Sequence, residues 1–400
     1  MKQMVFRFAA HHCMGENAYA TQRPIINAFM KIQQVKALQR GLMLTWADGS
    51  SNELPYIWLR DNDPLELHPR THERVFDLTS VELTIEPEEF SADAEGLRIR
   101  WPDKDDLSRY DATWLYDHRP GRRRDDPARI SKVSWVSAGI TSIPRFDAGS
   151  CQHEGNELLR ALQSLKTTGI ILIENLDDDL DAGKRFGDLI GFKRRSNYGV
   201  MFDVQSKPDP NNLAYTSLAL PLHTDLAYQE AVPGNQFLHC FRNETSGGES
   251  IFADALSIVE EFERDHPQDY QLLCRLNVPF VFTDDEHDIR YRRPVIGLDG
   301  DGQFIGLTFN AHIADVPDFS PEIMYDFYTA FRELMLRIRS AENNIEYALR
   351  SGEMVVFDNQ RILHGRAAFE PDSGQRHLRG YYIEHNEIDN RIRMLTKTAA

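Results

Sequence analysis

The tetrapeptide Leu222-His223-Thr224-Asp225 ends an apolar run, Leu218-Ala219-Leu220-Pro221-Leu222, and sends one imidazole and one carboxylate off the end of a strand together. Those are two donors of a metal site that needs a third. The candidate is His364, far downstream in Asp358-Asn359-Gln360-Arg361-Ile362-Leu363-His364-Gly365. Only a folded sheet, with late strands lying beside early ones, brings His364 to the pair. Two histidines and a carboxylate on one face of an ion, with other positions open, form the donor set of non-haem Fe(II) oxygenases.

A lone His-x-Asp is more often an ordinary surface or core pair than a ligand set. Three features lift it here. Thr245-Ser246-Gly247-Gly248-Glu249-Ser250 follows at a distance that suits a tight turn into the next strand. The late histidine sits in an Asp-Asn-x-Arg-x-Leu-His-Gly context. Arg376 then follows one strand later, in Arg376-His377-Leu378-Arg379-Gly380-Tyr381-Tyr382. A guanidinium there binds a distal carboxylate in bidentate fashion.

With these motifs in place, the chain resembles the 2-oxoglutarate-dependent dioxygenases of the taurine dioxygenase (TauD/TfdA) superfamily, and within it the γ-butyrobetaine hydroxylase-like branch. The resemblance runs from about Gly41 onward. It rests on Leu44-Thr45-Trp46-Ala47-Asp48-Gly49, Trp58-Leu59-Arg60-Asp61-Asn62, Ser196 to Val204, the His-Thr-Asp core and Arg376-His377-Leu378-x-Gly380. It implies an α+β protein: a double-stranded β-helix (jelly-roll, cupin-like) catalytic domain with flanking helices, and a small N-terminal β-rich domain. The implied division is 1–34 as an extension, 35–116 as the small domain, 117–141 as a linker and 142–400 as the dioxygenase domain.

The resemblance also implies roles. His223, Asp225 and His364 become the iron ligands and catalytic centre. Arg376 and Leu238 lie against 2-oxoglutarate. Tyr198, Phe202, Tyr215 and Tyr382 line a pocket for a trimethylammonium group, and Asn212 and Asn310 meet the substrate's anionic end. Phe202 and Leu226 stand where the animal enzymes carry tryptophan and tyrosine. The implied reaction is Fe(II)- and 2-oxoglutarate-dependent hydroxylation of an unactivated C–H bond, γ-butyrobetaine to carnitine, with O2 as cosubstrate, ascorbate as reductant and a homodimeric assembly. Trimethyllysine is one competing substrate. A trimethylammonio phosphonate is another, favoured by the cationic density of Arg290-Tyr291-Arg292-Arg293. The remaining alternative, a non-catalytic cupin-like binding protein, would show a lost ligand.

In the butyrobetaine hydroxylases the small domain often holds zinc through three cysteines and a later histidine. Here Asp63, Leu65 and His68 stand at the cysteine places, and Lys104-Asp105-Asp106 stands at the late histidine. A leucine donates nothing to a metal. The expectation is therefore no zinc, His68 and His72 as loop histidines, and a domain held by packing alone.

A net charge of −17 gives no basic excess with which to neutralise phosphates, which argues against nucleic acid as a partner. The one basic run, Arg119 to Arg124, leads straight into Asp125-Asp126 and reads as a solvated loop. No apolar run approaches the roughly 18 residues that a membrane span needs. Cys13, Cys151, Cys240 and Cys274 have no paired spacing and read as reduced thiols of a cytoplasmic protein.

Periodicity places the elements. Strands are expected over Leu42–Trp46 and Ser51–Leu59, and again over Val81–Ile85 and Leu97–Trp101. Helices are expected over Glu154–Leu165 and about Leu180–Ile190, with a continuously apolar strand, Ile170–Asn175, between them. Gln236–Phe241 reads as a strand in which His239 is a satisfied core histidine. Ala255–Leu273 is helical with a break at His266-Pro267. The helix Pro321–Arg339 presents Phe327, Phe331 and Leu334 to the core or to a dimer partner. Val355–Asp358 and Gly380–His385 are strands with His364 and Arg376 at their edges.

Overall fold

The computed structural model describes residues 30–140, 142–153, 155–205, 216–370 and 373–399. They form two compact units that divide between Asp126 and Pro127. The first carries β1 (Ile32–Ala37), β2 (Gly41–Trp46) and β3 (Ser51–Pro55) in one sheet, and β4 (Glu89–Asp93), β5 (Gly96–Arg100) and β6 (Ser108–Asp111) in a second. Successive strand residues face opposite ways, so Leu42, Leu44 and Trp46 of β2 and Leu97 and Ile99 of β5 all reach one core, where none is exposed.

Two expectations fail in this unit. The strand from Ser51 stops at Pro55, and Tyr56–Asp61 is helical with Tyr56, Leu59 and Arg60 turned inward. A short apolar run does not distinguish the two states by itself. Val81–Ile85 is not a strand either; β5 pairs with β4, Phe90 opposite Ile99, and Leu83 is exposed.

Nor is the unit held by packing alone. Asp63 is fully buried, and a carboxylate so placed needs partners. Lys104 reaches it at 2.8 Å and the Ser108 hydroxyl donates to it. Arg60 extends the network to Asp103 at 2.8 Å and Glu66 at 3.0 Å. Lys104 comes from the stretch that reads as merely acidic in sequence. Leu65, His68 and His72 are exposed. Arg119 is not solvated: it is buried, its guanidinium 3.5 Å from the centre of the Tyr116 ring.

The second unit is a jelly-roll sandwich with helices around it. One sheet takes β7 (Arg145–Asp147), β8 (Ile170–Glu174), β9 (Lys193–Arg194), β10 (Phe202–Val204), β12 (Asn235–Asn243), β19 (Glu353–Asp358) and β21 (Arg376–Ile383). Its order is β10-β21-β12-β19-β8-β7, with β9 against β21. The other sheet takes β11 (Leu220–His223), β13 (Ser250–Asp254), β18 (Asn344–Tyr347) and β20 (Ile362–Arg366), in the order β11-β20-β13-β18. Two hairpins lie outside these sheets: β14 (Val278–Thr283) with β15 (Asp288–Arg293), and β16 (Ile296–Leu298) with β17 (Phe304–Leu307).

The two sheets meet face to face, Phe252 of β13 edge-on to Phe357 of β19 at 5.6 Å. This double contact explains why β8 is apolar from Ile170 to Ile173. Ile171 and Ile173 lie under the helices Gly155–Thr168 and His385–Ala399, while Ile170 and Leu172 face the opposite sheet. Trp135, from the stretch expected as linker, also sits in this interior. The helix Pro321–Ile338 turns Phe327, Leu334 and Ile338 into the core, so that face is core rather than dimer surface. Among the described residues no helix is long and apolar enough to cross a membrane.

The strand that carries His364 differs from expectation. After β19 the chain turns at Asp358, whose backbone and side-chain oxygens accept from the N–H groups of Arg361 and Gln360. His364 therefore lies inside β20, in the opposite sheet, and not at the edge of β19. Similarly, β21 starts at Arg376 and not at Gly380.

Candidate active site

The antiparallel register of β11 on β20 places His223 directly opposite His364, with ring centres 4.3 Å apart. The register shifts between Leu220 and His223, and such an irregularity re-aims the side chain that follows it. His223 Nδ1 lies 2.9 Å from the Pro221 carbonyl. A carbonyl only accepts, so Nδ1 carries the proton and Nε2 offers a bare lone pair. That Nε2 is 3.3 Å from Asp225 Oδ1, and His364 Nε2 is 3.5 Å from the same oxygen. One donor atom from each residue falls within 4.8 Å of the other two, the one such cluster among the described residues.

Asp225 is fixed from several sides. Thr224 N–H donates to the Phe309 carbonyl at 2.7 Å, and Asp225 N–H donates to Asn359 Oδ1 at 2.8 Å. Leu226 then takes φ +57°, a left-handed conformation that a leucine holds only where its surroundings impose it. The Tyr382 hydroxyl donates to Asp225 Oδ2 at 2.7 Å. Burial alone would raise the Asp225 carboxyl, but the charge that His364 or His223 carries when protonated outweighs it and holds the group well below the usual carboxylate range. Burial lowers His364 against the pull of Asp225, which favours the neutral imidazole that a metal requires. Two bare imidazole nitrogens and an ionised carboxylate fit a divalent iron of facial type.

These three residues open onto a cavity of about 290 Å³. Arg376, Leu238, Tyr198, Phe202, Asn310 and Tyr382 all line it. Asn212 and Tyr215 lie outside the described residues. Alternation along β21 turns Arg376, Leu378 and Tyr382 to the cavity, while Arg379 turns away to Asp203 and Asp181. Arg376 Nε is buried with no hydrogen-bond partner among the described residues, and burial lowers the group's pKa. Phe202 pairs in register with Gly380, where an added Cβ would run into the Phe202 ring.

Several lining residues escape the sequence reading. Ser250, the last residue of the turn motif, reaches the cavity beside Arg366, its register partner on β20. Arg366 donates to the carbonyls of Thr216 and Leu218, and burial pushes it down to about 10. Tyr228 and Phe282 stack at 5.0 Å, and Tyr198 meets Phe282 edge-on at 5.7 Å. His312 faces the cavity, two positions after Asn310, with burial lowering its pKa. A second aromatic pair drawn from the turn after β11 and from β14 leaves no periodic signal in a single sequence.

Other expectations change. Asn310 spends its amide oxygen on the His312 N–H and one amide hydrogen on the Thr224 carbonyl, so one N–H remains for a ligand. His239 is buried but not satisfied: neither ring nitrogen has a partner, and burial lowers its pKa to about 4. Its ring points away from the cavity, against Gly183. The arginines proposed to favour a phosphonate are engaged elsewhere. Arg290 pairs with Asp288, Arg292 with Asp318, and Arg293 donates to the Gln229 and Glu230 carbonyls.

Residues 138–382 match the family described as Taurine catabolism dioxygenase TauD, TfdA family, and residues 33–116 match the family described as Gamma-butyrobetaine hydroxylase-like, N-terminal. Gamma-butyrobetaine dioxygenase of Pseudomonas sp. (strain AK-1) is 34% identical over 95% of this chain and 100% of its own length. Dioxygenase str8 of Strobilurus tenacellus is 32% identical over 85% of each chain. Mitochondrial trimethyllysine dioxygenase of Homo sapiens is 27% identical over 85% of this chain and 82% of its own.

Proposed function

The chain belongs to the taurine catabolism dioxygenase TauD, TfdA family, and on that premise we propose that it hydroxylates an unactivated C–H bond of γ-butyrobetaine, giving carnitine. The residues that would hold Fe(II) are His223, Asp225 and His364. Bound there, iron with 2-oxoglutarate and O2 supplies the oxidation of the C–H bond, the cosubstrate leaving as succinate and CO2. Arg376, with its partnerless Nε, binds the distal carboxylate of 2-oxoglutarate, and Leu238 and Ser250 wall that end.

One observation carries the substrate class. Tyr198, Phe202, Tyr228, Phe282 and Tyr382 line the cavity, and among the described residues the only carboxylate on its wall is Asp225. A primary ammonium is held best by a carboxylate, and among the described residues this wall offers none besides Asp225, whereas a trimethylammonium donates no hydrogen bond and is drawn to ring faces. The same lack of a second carboxylate among the described lining residues disfavours trimethyllysine, which carries an α-ammonium besides its trimethylammonium. The spare N–H of Asn310 and the imidazole of His312 face the substrate's carboxylate.

The test is 2-oxoglutarate turnover, read as succinate, with γ-butyrobetaine, trimethyllysine, 2-(trimethylammonio)ethylphosphonate and the neutral tert-butyl isostere of γ-butyrobetaine. Cation–π attraction in a desolvated site contributes about 2 kcal/mol, so the isostere should bind about 30-fold more weakly than γ-butyrobetaine. Equal turnover of the isostere would reduce the aromatic residues to plain apolar walls. Faster turnover of trimethyllysine or the phosphonate would reassign the substrate.

A further inference from the structure

We propose that Tyr382 is a positioning residue for the metal, its hydroxyl holding Asp225 to coordination through a single oxygen; this rests on the reading of Asp225 as an iron ligand. The two carboxylate oxygens have different neighbours. Oδ1 faces both imidazole Nε2 atoms, at 3.3 and 3.5 Å, while Oδ2 accepts from the Tyr382 hydroxyl at 2.7 Å. Sequence and resemblance give Tyr382 only an aromatic wall, and that wall is real: its ring lies 5.3 Å from Phe202. The hydroxyl points elsewhere.

The hydroxyl is delivered from a stiff support. Tyr382 is 3% exposed and sits in β21 between two strands, opposite Gln236 of β12 on one side and Arg194 of β9 on the other. Asp225, by contrast, leaves the end of β11 in a turn, so its backbone is clamped by Asn359 while its side chain depends on what meets Oδ2. With Oδ2 free, the carboxylate could rotate and chelate, taking a position that a facial site reserves for its cosubstrates. Carboxylates that bind metals are themselves hydrogen-bonded as a rule, and losing such a partner costs about 10–100-fold in metal affinity or activity.

Tyr382→Phe keeps the ring and removes the hydroxyl. Co(II) added to the metal-free protein in the absence of oxygen reports the site through its visible ligand-field absorption. The expected result is a Co(II) dissociation constant raised about 10-fold or more, together with a shifted ligand-field spectrum. If Tyr382→Phe folds poorly, the spectrum still decides, because it reports only the folded, metal-bound fraction. A wild-type spectrum and affinity in Tyr382→Phe would overturn the proposal and leave Tyr382 as a wall. Asp225→Asn separates the two readings: if it also leaves Co(II) binding untouched, the ligand set itself is wrong, whereas loss in Asp225→Asn alone removes only the role of Tyr382.

Discussion

Arg361 and Arg376 lie in the same sandwich and are treated in opposite ways. Arg361, just before β20, is wholly buried, and each of its side-chain nitrogens has a partner. Its Nε and Nη2 bind Asp254 at 2.9 and 2.8 Å, Nη1 donates to the Thr167 carbonyl and Nη2 also to the Val133 carbonyl. Asp254 takes the N–H groups of Leu256 and Trp135 besides. Arg376 opens to the cavity with no such partner, although a carboxylate lines the same cavity. That carboxylate, Asp225, is turned to two imidazoles and a phenol. Where the fold needs a buried charge it supplies the opposite one; where it leaves a charge open, the proposed 2-oxoglutarate would bring the opposite one.

The widest separation between the two regions should come from their aspartates. Asp225→Ala removes a proposed iron donor and should bring 2-oxoglutarate turnover coupled to hydroxylation down to background, with the unfolding midpoint in urea close to wild type. Asp254→Ala leaves Arg361 buried without a counter-charge and should cost about 3–5 kcal/mol of stability. Urea titration with a succinate assay on the same preparations reads both. Hydroxylation surviving in Asp225→Ala, or an unshifted midpoint in Asp254→Ala, would erase the contrast.

The arginines give the next largest effect. Arg376→Leu should raise the 2-oxoglutarate concentration needed for half-maximal turnover by roughly 10²-fold, as expected for a lost charge-assisted pair. Its stability should hold or rise, since a guanidinium with no carboxylate partner among the described residues is replaced by an apolar side chain. Arg361→Leu should do the reverse, lowering the midpoint sharply by stranding Asp254. If both variants lost stability equally, Arg376 would be structural, and its missing partner would have to be found within the fold.

How much of this is legible in the sequence differs by residue. His223, Asp225, His364 and Arg376 stand out because metal and carboxylate chemistry restricts the residue types, and the structure brings all four to one cavity. The helix break at His266-Pro267 and the continuous strand at Ile170 are local signals, and both hold. The path to the site is less legible. That His364 belongs to the sheet opposite β19 depends on a turn at Asp358 that resembles any polar stretch within an apolar run. Asp63 with Lys104 is invisible for a similar reason: an acid and a base in loops far apart in sequence look like surface residues until a fold buries them together. Tyr228 and Phe282 join the cavity only through tertiary packing.

The smallest effect sharpens the register of β21. Arg379 is on the strand that carries Arg376 but on its other face, where it binds Asp203 at 2.8 Å and Asp181 at 3.1 Å, both partly open to solvent. Pairs of that kind contribute about 0–1 kcal/mol and weaken in salt, so Arg379→Ala should shift stability within that range and leave the 2-oxoglutarate requirement as in wild type. The pH dependence has a definite sign. Burial pushes the Asp203 carboxyl up, but Arg379 and His377 outweigh it, so its folded-state pKa lies below the ordinary value. The stability it adds is therefore present above the unfolded carboxylate range and lost as pH falls through the folded pKa. Wild type and Arg379→Ala should differ most at neutral pH and low salt, and converge on acidification or in high salt. Thermal melts across pH at two ionic strengths read this directly. A 2-oxoglutarate defect in Arg379→Ala equal to that of Arg376→Leu would mean that the two faces of β21 are not separated, and the open arginine would lose its contrast with the closed one.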